Sequence, residues 1–305
     1  MEESKVKLPK IPATMKRYIY YRDALEAVKR LRIASDGSRY VIRFSLGQRV
    51  EHFVLIFSFT TLALTGLAQT YYNTLLGSFI LSIFGGIEAS RQVHHVAAFV
   101  FGIQSLYHVI KFVDEAFVHH RLGKMLPVWS DLTDAIQMIK FNLGLAVRRP
   151  RFDRYNFEEK AEYWALVWGT VVMVVTGIIQ WFPAQLTMIL PAGWVIPVSR
   201  VLHRWEAILA VLAILTWHFY HSVIKKLNLS IFNGNMTIEE MEEEHPLELA
   251  YLEQASAAIQ NRLWPVEIEI PLEDAEDLEE PVQIEEVVEE VTELVLEKNA
   301  EGSMQ

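Results

Sequence analysis

VLHRWEAILAVLAILTWHFYHSV, residues 201–223, reads as a membrane-spanning helix that carries two histidines, His203 and His218. Ionisable side chains inside a bilayer are costly and rarely lack a role. Fifteen residues apart, at 1.5 Å rise each, the two rings sit about 22 Å apart along a helix, close to four turns. One ring then lies near each face of the membrane, on roughly the same side of the helix. That spacing suits two haems stacked across a bilayer. His52 and His94 each open another apolar segment, so a partner exists for both.

About 20 apolar residues mark a transmembrane helix. Four segments qualify, at roughly 51–71, 93–113, 162–182 and 202–224. A fifth apolar stretch, 74–87, is too short to span and contains Gly85–Gly86, so it reads as re-entrant or interfacial. The predicted fold is all-α: an integral membrane four-helix bundle binding two b-type haems, with a flexible acidic C-terminal tail. The N-terminus is long and charged and has no signal-peptide pattern.

Basic residues orient such a bundle. The first 50 residues hold twelve Lys and Arg, and the loop between the second and third spans holds eight, including Arg148, Arg149, Arg151 and Arg154. The other two loops hold one each, Arg91 and Arg200, and Lys225 and Lys226 follow the fourth span. Both termini are therefore expected in the cytoplasm. His94 and His203 then form an outer pair, and His52 and His218 an inner pair. Inter-helix hydrogen bonding is the plain alternative for a single membrane histidine; depth-matched pairing of four favours ligation.

Other histidines compete. His95 neighbours His94 but points about 100° away. His221 lies a turn beyond His218, beside Lys225. His108 is fourteen residues from His94, which offers a second scheme, two histidines on each of two helices, with His52 spare. His119, His120 and His245 fall in polar stretches and read as surface residues.

The chain has no cysteine, which excludes thiolate-bound iron–sulfur clusters, a CxxCH haem attachment and disulfides. Its net charge of −10 hides two unlike parts. From residue 239 on there are 22 acidic and two basic residues; the rest has 16 acidic and 26 basic. The expected organisation is a basic cytoplasmic arm (1–44), a four-span domain (45–228) and an acidic cytoplasmic tail, partly disordered (229–305). Residues 14–34 read as a basic amphipathic helix lying on the anionic membrane surface. Residues 236–260 read as short helix broken at Pro246.

RVEHFVLIFSFTTLALTG (49–66), SRQVHHVAAFVFG (90–102), RYNFEEKAEYWALVWGTVVMVVTGIIQW (154–181) and VSRVLHRWEAILAVLAILTWHFY (198–220) resemble the four spans of the gamma subunit of respiratory formate dehydrogenase. Related subunits anchor hydrogenases and thiosulfate reductases. The resemblance covers residues 45–228. It implies a di-haem cytochrome b in which His94 and His203 bind the outer haem and His52 and His218 the inner one. It also implies a quinone site, for menaquinone or ubiquinone, near Tyr155–Asn156. Departures exist. The interval between the two fourth-span ligands is one residue longer here, His108 has no counterpart, and Glu158–Glu159 stand where that subunit has Gly-Gln.

The expected function is electron transfer between an outer-face partner and the quinone pool of a prokaryotic inner membrane. Bis-imidazole iron has no open position, which suits that work. Arg91 and Arg204 are candidates for the outer haem's propionates, and Arg49 for the inner haem's. Asn156 is the candidate quinone hydrogen-bond donor, with Glu158, Glu159 and Lys160 as candidates for handling protons. The expected partners are an iron–sulfur or multihaem electron-transfer subunit, membrane lipid and quinone, with no nucleic acid. A proton-relay transporter and a haem-free structural anchor are the competing readings.

Overall fold

The computed structural model describes residues 14–19, 21–118, 124–189, 192–261 and 266–271. His119 and His120, and the tail from 272 on, lie outside the described residues. The chain divides into two compact units: residues 44–129 with 157–234, and residues 1–43 with 130–156 and 235–305.

The first unit holds the four apolar helices. They are α2 (Leu46–Thr70), α4 (Ile87–Val113), α6 (Phe157–Trp181) and a last span from Gly193 to Ile224. This last span comprises α8 (Ala192–Ala213), then two π-helical turns, Ile214–His218 and Tyr220–Ile224. α2 packs on α4, α6 on α8, and α2 also on α8. α2, α4 and α6 each start several residues before the apolar window read from the sequence, because their first turns carry polar residues. Ser45 shows how α2 starts: its hydroxyl accepts from the Gln48 amide, and the Gln48 side chain accepts from the Ser45 amide. Such a reciprocal cap satisfies two of the donors that a helix start leaves over. The 74–87 stretch forms a short helix, α3 (Leu75–Ile83), that leaves Leu75, Leu76 and Phe79 exposed.

Burial in this unit runs against the pattern of a water-soluble protein. Ser58, Thr65, Ser90, Ala97, Gly169 and Thr176 are inside, while Phe57, Phe99, Trp168 and Leu209 are exposed. Lipid is as apolar as leucine, so helices there associate through small and hydrogen-bonding residues.

The second unit is mixed. Strands β2 (Leu31–Ile33), β3 (Arg39–Ile42) and β4 (Asn235–Thr237) form an antiparallel sheet in which Val41 pairs with Leu31 on one side and Met236 on the other. Helix α1 (Tyr21–Arg30) packs on α11 (Pro246–Asn261), and α10 (Ile238–Glu244) leads into α11. α5 (Trp129–Asn142) spans the boundary between the two units in sequence. β1 (Thr14–Ile19) pairs with β5 (Val266–Pro271), again antiparallel. The core is Ala24, Ala27, Leu31, Val41, Met236, Met241 and Leu252.

Three expectations change here. Residues 14–34 are not one helix: only 21–30 are helical, between strands, and the apolar side of α1 (Ala24, Ala27) meets protein instead of a bilayer. Residues 235–261, read as a short helix broken at Pro246 within a partly disordered tail, form β4, α10 and α11 and belong to a packed core, because their apolar positions find partners on distant segments. His245 is not a surface residue; it is 2% exposed and its Nδ1 donates to the Asp153 carbonyl at 2.9 Å. The break between α10 and α11 does fall beside Pro246.

Glu248, fully buried, lies 2.5 Å from Arg30 and 3.6 Å from Arg154. The Arg43 and Arg154 guanidinium groups stand over the Tyr155 ring, 5.0 and 5.5 Å from its centre. Burial and the Arg43 charge push the His245 imidazole down to about 3, against its hydrogen bond to Asp153 and the Glu248 charge, so it stays neutral.

Candidate haem-binding site

His52, on α2, faces His218, at the end of the first π turn of the last span. Their ring centres are 6.3 Å apart with planes inclined by 43°. Two imidazole nitrogens on opposite sides of one metal, each bonded at about 2 Å, would place the ring centres about 6 Å apart. The spacing fits a metal held between them. Fifteen α-helical residues from His203 overshoot four turns by roughly 60°. π turns carry more residues per turn and absorb part of that excess. They are also how a helix takes in one extra residue, which is the departure noted between the two fourth-span histidines.

His218 Nδ1 lies 2.8 Å from Glu162 Oε2 on α6. A carboxylate only accepts, so the imidazole donates from Nδ1 and keeps its Nε2 lone pair free.

His94 stands on α4 and His203 on α8. Each is held the same way. Thr65 Oγ1 lies 2.8 Å from His94 Nδ1, and Thr176 Oγ1 lies 2.8 Å from His203 Nδ1. Each hydroxyl also donates to its own helix, Thr65 to the Thr61 carbonyl at 2.6 Å and Thr176 to the Val172 carbonyl at 2.7 Å. A hydroxyl has one proton. With it committed to the backbone, the oxygen accepts from the histidine, so both rings carry hydrogen on Nδ1 and a lone pair on Nε2. The next residue is glycine in both cases. A Cβ on Gly66 would lie 3.1 Å from His94 Cε1, and one on Gly177 would lie 3.5 Å from His203 Cε1.

The remaining histidines of the four-span unit, among the described residues, are engaged otherwise. His95 stacks on Trp181 at 4.3 Å. His108 uses both nitrogens, Nδ1 at 3.1 Å from Glu51 Oε2 and Nε2 at 2.9 Å from the Tyr163 hydroxyl, while Lys111 reaches Glu51 Oε1 at 2.7 Å. His221 Nδ1 donates to the Trp217 carbonyl at 2.9 Å, and its Nε2 lies 3.5 Å from Glu158.

Of the other candidates, Arg91 holds Glu88 at 2.9 and 2.8 Å, Arg204 is exposed beside His203, and Arg49 donates to the Phe232 carbonyl. Glu158 also lies 3.6 Å from Lys225. Asn156 directly precedes α6. Thr65, Thr176 and Glu162 were not singled out from sequence. The threonines had a visible signal in the repeated Thr-Gly at 65–66 and 176–177. Glu162 had none, because a carboxylate at a span's edge reads as the edge.

Four helices long and apolar enough to cross a membrane, with two histidines facing each other at a spacing that fits a metal, are the arrangement of a membrane cytochrome b. The chain belongs to the prokaryotic cytochrome b561 family, whose model matches residues 43–232. It is 23% identical over 220 residues to the cytochrome b556(Fdn) subunit of the nitrate-inducible formate dehydrogenase of Escherichia coli strain K12, an alignment covering 72% of this chain and 95% of that subunit. It is 26% identical over 212 residues to the cytochrome b556(fdo) subunit of formate dehydrogenase from the same strain, covering 68% and 90%. This is a multi-pass membrane protein of haem b and electron transfer.

Proposed function

We propose that the chain holds two haems b and passes electrons between an electron-transfer partner at the outer face and quinone near the cytoplasmic face of a prokaryotic inner membrane. His94 and His203 would hold the outer haem, and His52 and His218 the inner one, within residues 45–228. Bound haem supplies one-electron transfer at an iron with no open position.

One observation carries the reading: three of these four histidines are fixed with Nδ1 as donor, leaving Nε2 for a metal. His108 has no nitrogen left over, which supports His52 as the inner ligand. The clustering of basic residues supports cytoplasmic termini. By analogy with the formate dehydrogenase subunits, the partner is an iron–sulfur or multihaem subunit of a larger oxidoreductase. Arg91 and Arg204 would meet the propionates of the outer haem. Asn156 is the quinone hydrogen-bond candidate, for menaquinone or ubiquinone, and Glu158, Glu159 and Lys160 are the candidates for handling protons.

The experiment is an optical spectrum of the purified chain with pyridine extraction of haem. Two protohaems per chain are expected, falling to one in His52→Ala and remaining two in His108→Gln. A colourless chain, as a transporter or plain anchor would give, sinks the proposal.

A further inference from the structure

Three side chains that hold histidines, and would not themselves touch iron, distinguish the two pairs. We infer that Thr65, Thr176 and Glu162 are positioning residues for the haem ligands, and that Glu162 lowers the reduction potential of the His52–His218 site. The inference rests on the ligand assignment proposed above.

The threonines are built for one task. Thr65 is fully buried and Thr176 is 3% exposed. Each spends its proton on a carbonyl one turn back, so its oxygen can only accept from the facing ring. This selects one tautomer and one ring orientation for His94 and His203. A ligating histidine usually gives its other N–H to an acceptor, which fixes the tautomer and raises ligand basicity. Here that acceptor is a neutral hydroxyl on both sides of the site.

The His52–His218 site differs in charge. Glu162 Oε2 takes the Nδ1 hydrogen of His218 at 2.8 Å. A hydrogen bond to an ionised acceptor is roughly twice as strong as a neutral one. It draws the proton away from the ring, giving Nε2 more electron density and favouring the ferric state. The carboxylate's own negative charge acts in the same direction. With a neutral acceptor in its place, the site would be easier to reduce.

The test is a redox titration of the haem bands, with electron paramagnetic resonance of the low-spin ferric signals, on the full chain and its variants. Glu162→Gln keeps an acceptor oxygen and removes the charge. The expected result is an upward shift of one midpoint potential, with the other unchanged and two haems retained. Two retained haems with both potentials unchanged overturns the role of Glu162. Thr65→Val keeps the side-chain shape without the hydroxyl, and Thr65→Ser restores the hydroxyl. The Val variant is expected to alter one low-spin signal, and the Ser variant to return it. If Glu162→Gln holds too little haem to titrate, this pair decides, and identical signals in wild type, Val and Ser overturn the positioning role. A wild-type chain lacking two bis-imidazole signals removes the ligand assignment itself, a result distinct from either failure.

Discussion

The two compact units bury opposite kinds of side chain. In the unit containing residues 21–43 and 235–261, the inside is Leu252, Met241, Met236 and Val41. In the four-span unit the inside is Ser58, Thr65, Ser90 and Thr176, and large apolar side chains such as Phe57 and Leu209 are exposed. The first pattern is what water drives, since apolar area leaves it at about 25 cal/mol per Å². The second is what lipid permits. There an apolar side chain gains little by turning inward, and a polar group has nowhere else to find a partner. An equally apolar residue should therefore matter in one unit and hardly at all in the other.

The largest expected contrast follows directly. Leu252→Ala empties a fully buried position and should cost about 2–5 kcal/mol in its own unit. Leu209→Ala, at a position 60% exposed on the last span, should change stability by no more than about 0.5 kcal/mol. Limited proteolysis within 235–261 reads the first, and thermal loss of the haem spectrum in detergent reads the second. Equal losses from the two substitutions would break the contrast.

The soluble-type core also contains ionisable groups, and there the sharper test is pH. His245 ionises at about 3 in the folded chain, against 6.5 for a free imidazole. The folded chain keeps it neutral while the unfolded chain protonates first as pH falls. Its stabilising contribution is thus complete above about pH 6.5 and is lost progressively as pH drops toward 3, amounting at most to a few kcal/mol. The protection factors of amides in α10 and α11, taken against the intrinsic exchange rate at each pH, should fall between about pH 7 and about pH 5 in the wild type. His245→Gln should flatten that dependence. A profile unchanged by the substitution would assign the acid sensitivity to other groups.

What was legible in the sequence divides along the same line. The four spans could be read because a bilayer demands about 20 apolar residues in one uninterrupted run, a local signal. The approach of His52 to His218 could be anticipated because span ends and charge bias fix depth. The other unit is built from three separated segments, each too short and polar to announce a core. Ala24 and Ala27 are buried only because Leu252 and Ala255 arrive from more than two hundred residues away. His245 looked like a loop residue for the same reason: the groups that enclose it, Arg43, Asp153 and Glu248, are mostly distant in sequence. Within the membrane unit, Thr65, Thr176 and Glu162 escaped notice because their partners lie on other helices. Hydropathy records where a helix crosses, not which rings its hydroxyls face.

The smallest expected effect probes the interior of the membrane unit at the two Thr-Gly steps. The sites look alike, yet their clearances differ. At Gly66 an added methyl would lie 3.1 Å from His94 Cε1, closer than ordinary contact. The ring cannot retreat freely, because Thr65 on the same helix holds its Nδ1 at 2.8 Å. At Gly177 the corresponding distance is 3.5 Å, an ordinary van der Waals contact. Gly66→Ala should therefore strain the His94 ring by about 1 kcal/mol, the low end of overpacking costs, and shift one haem band or its thermal midpoint. Gly177→Ala should leave the thermal midpoint of the haem spectrum within about 0.5 kcal/mol of wild type. The reverse order would mean that the His203 ring is the less yielding of the two. It would also mean that exposed apolar surface around the last span does not give α8 the freedom to adjust that packing by small residues implies.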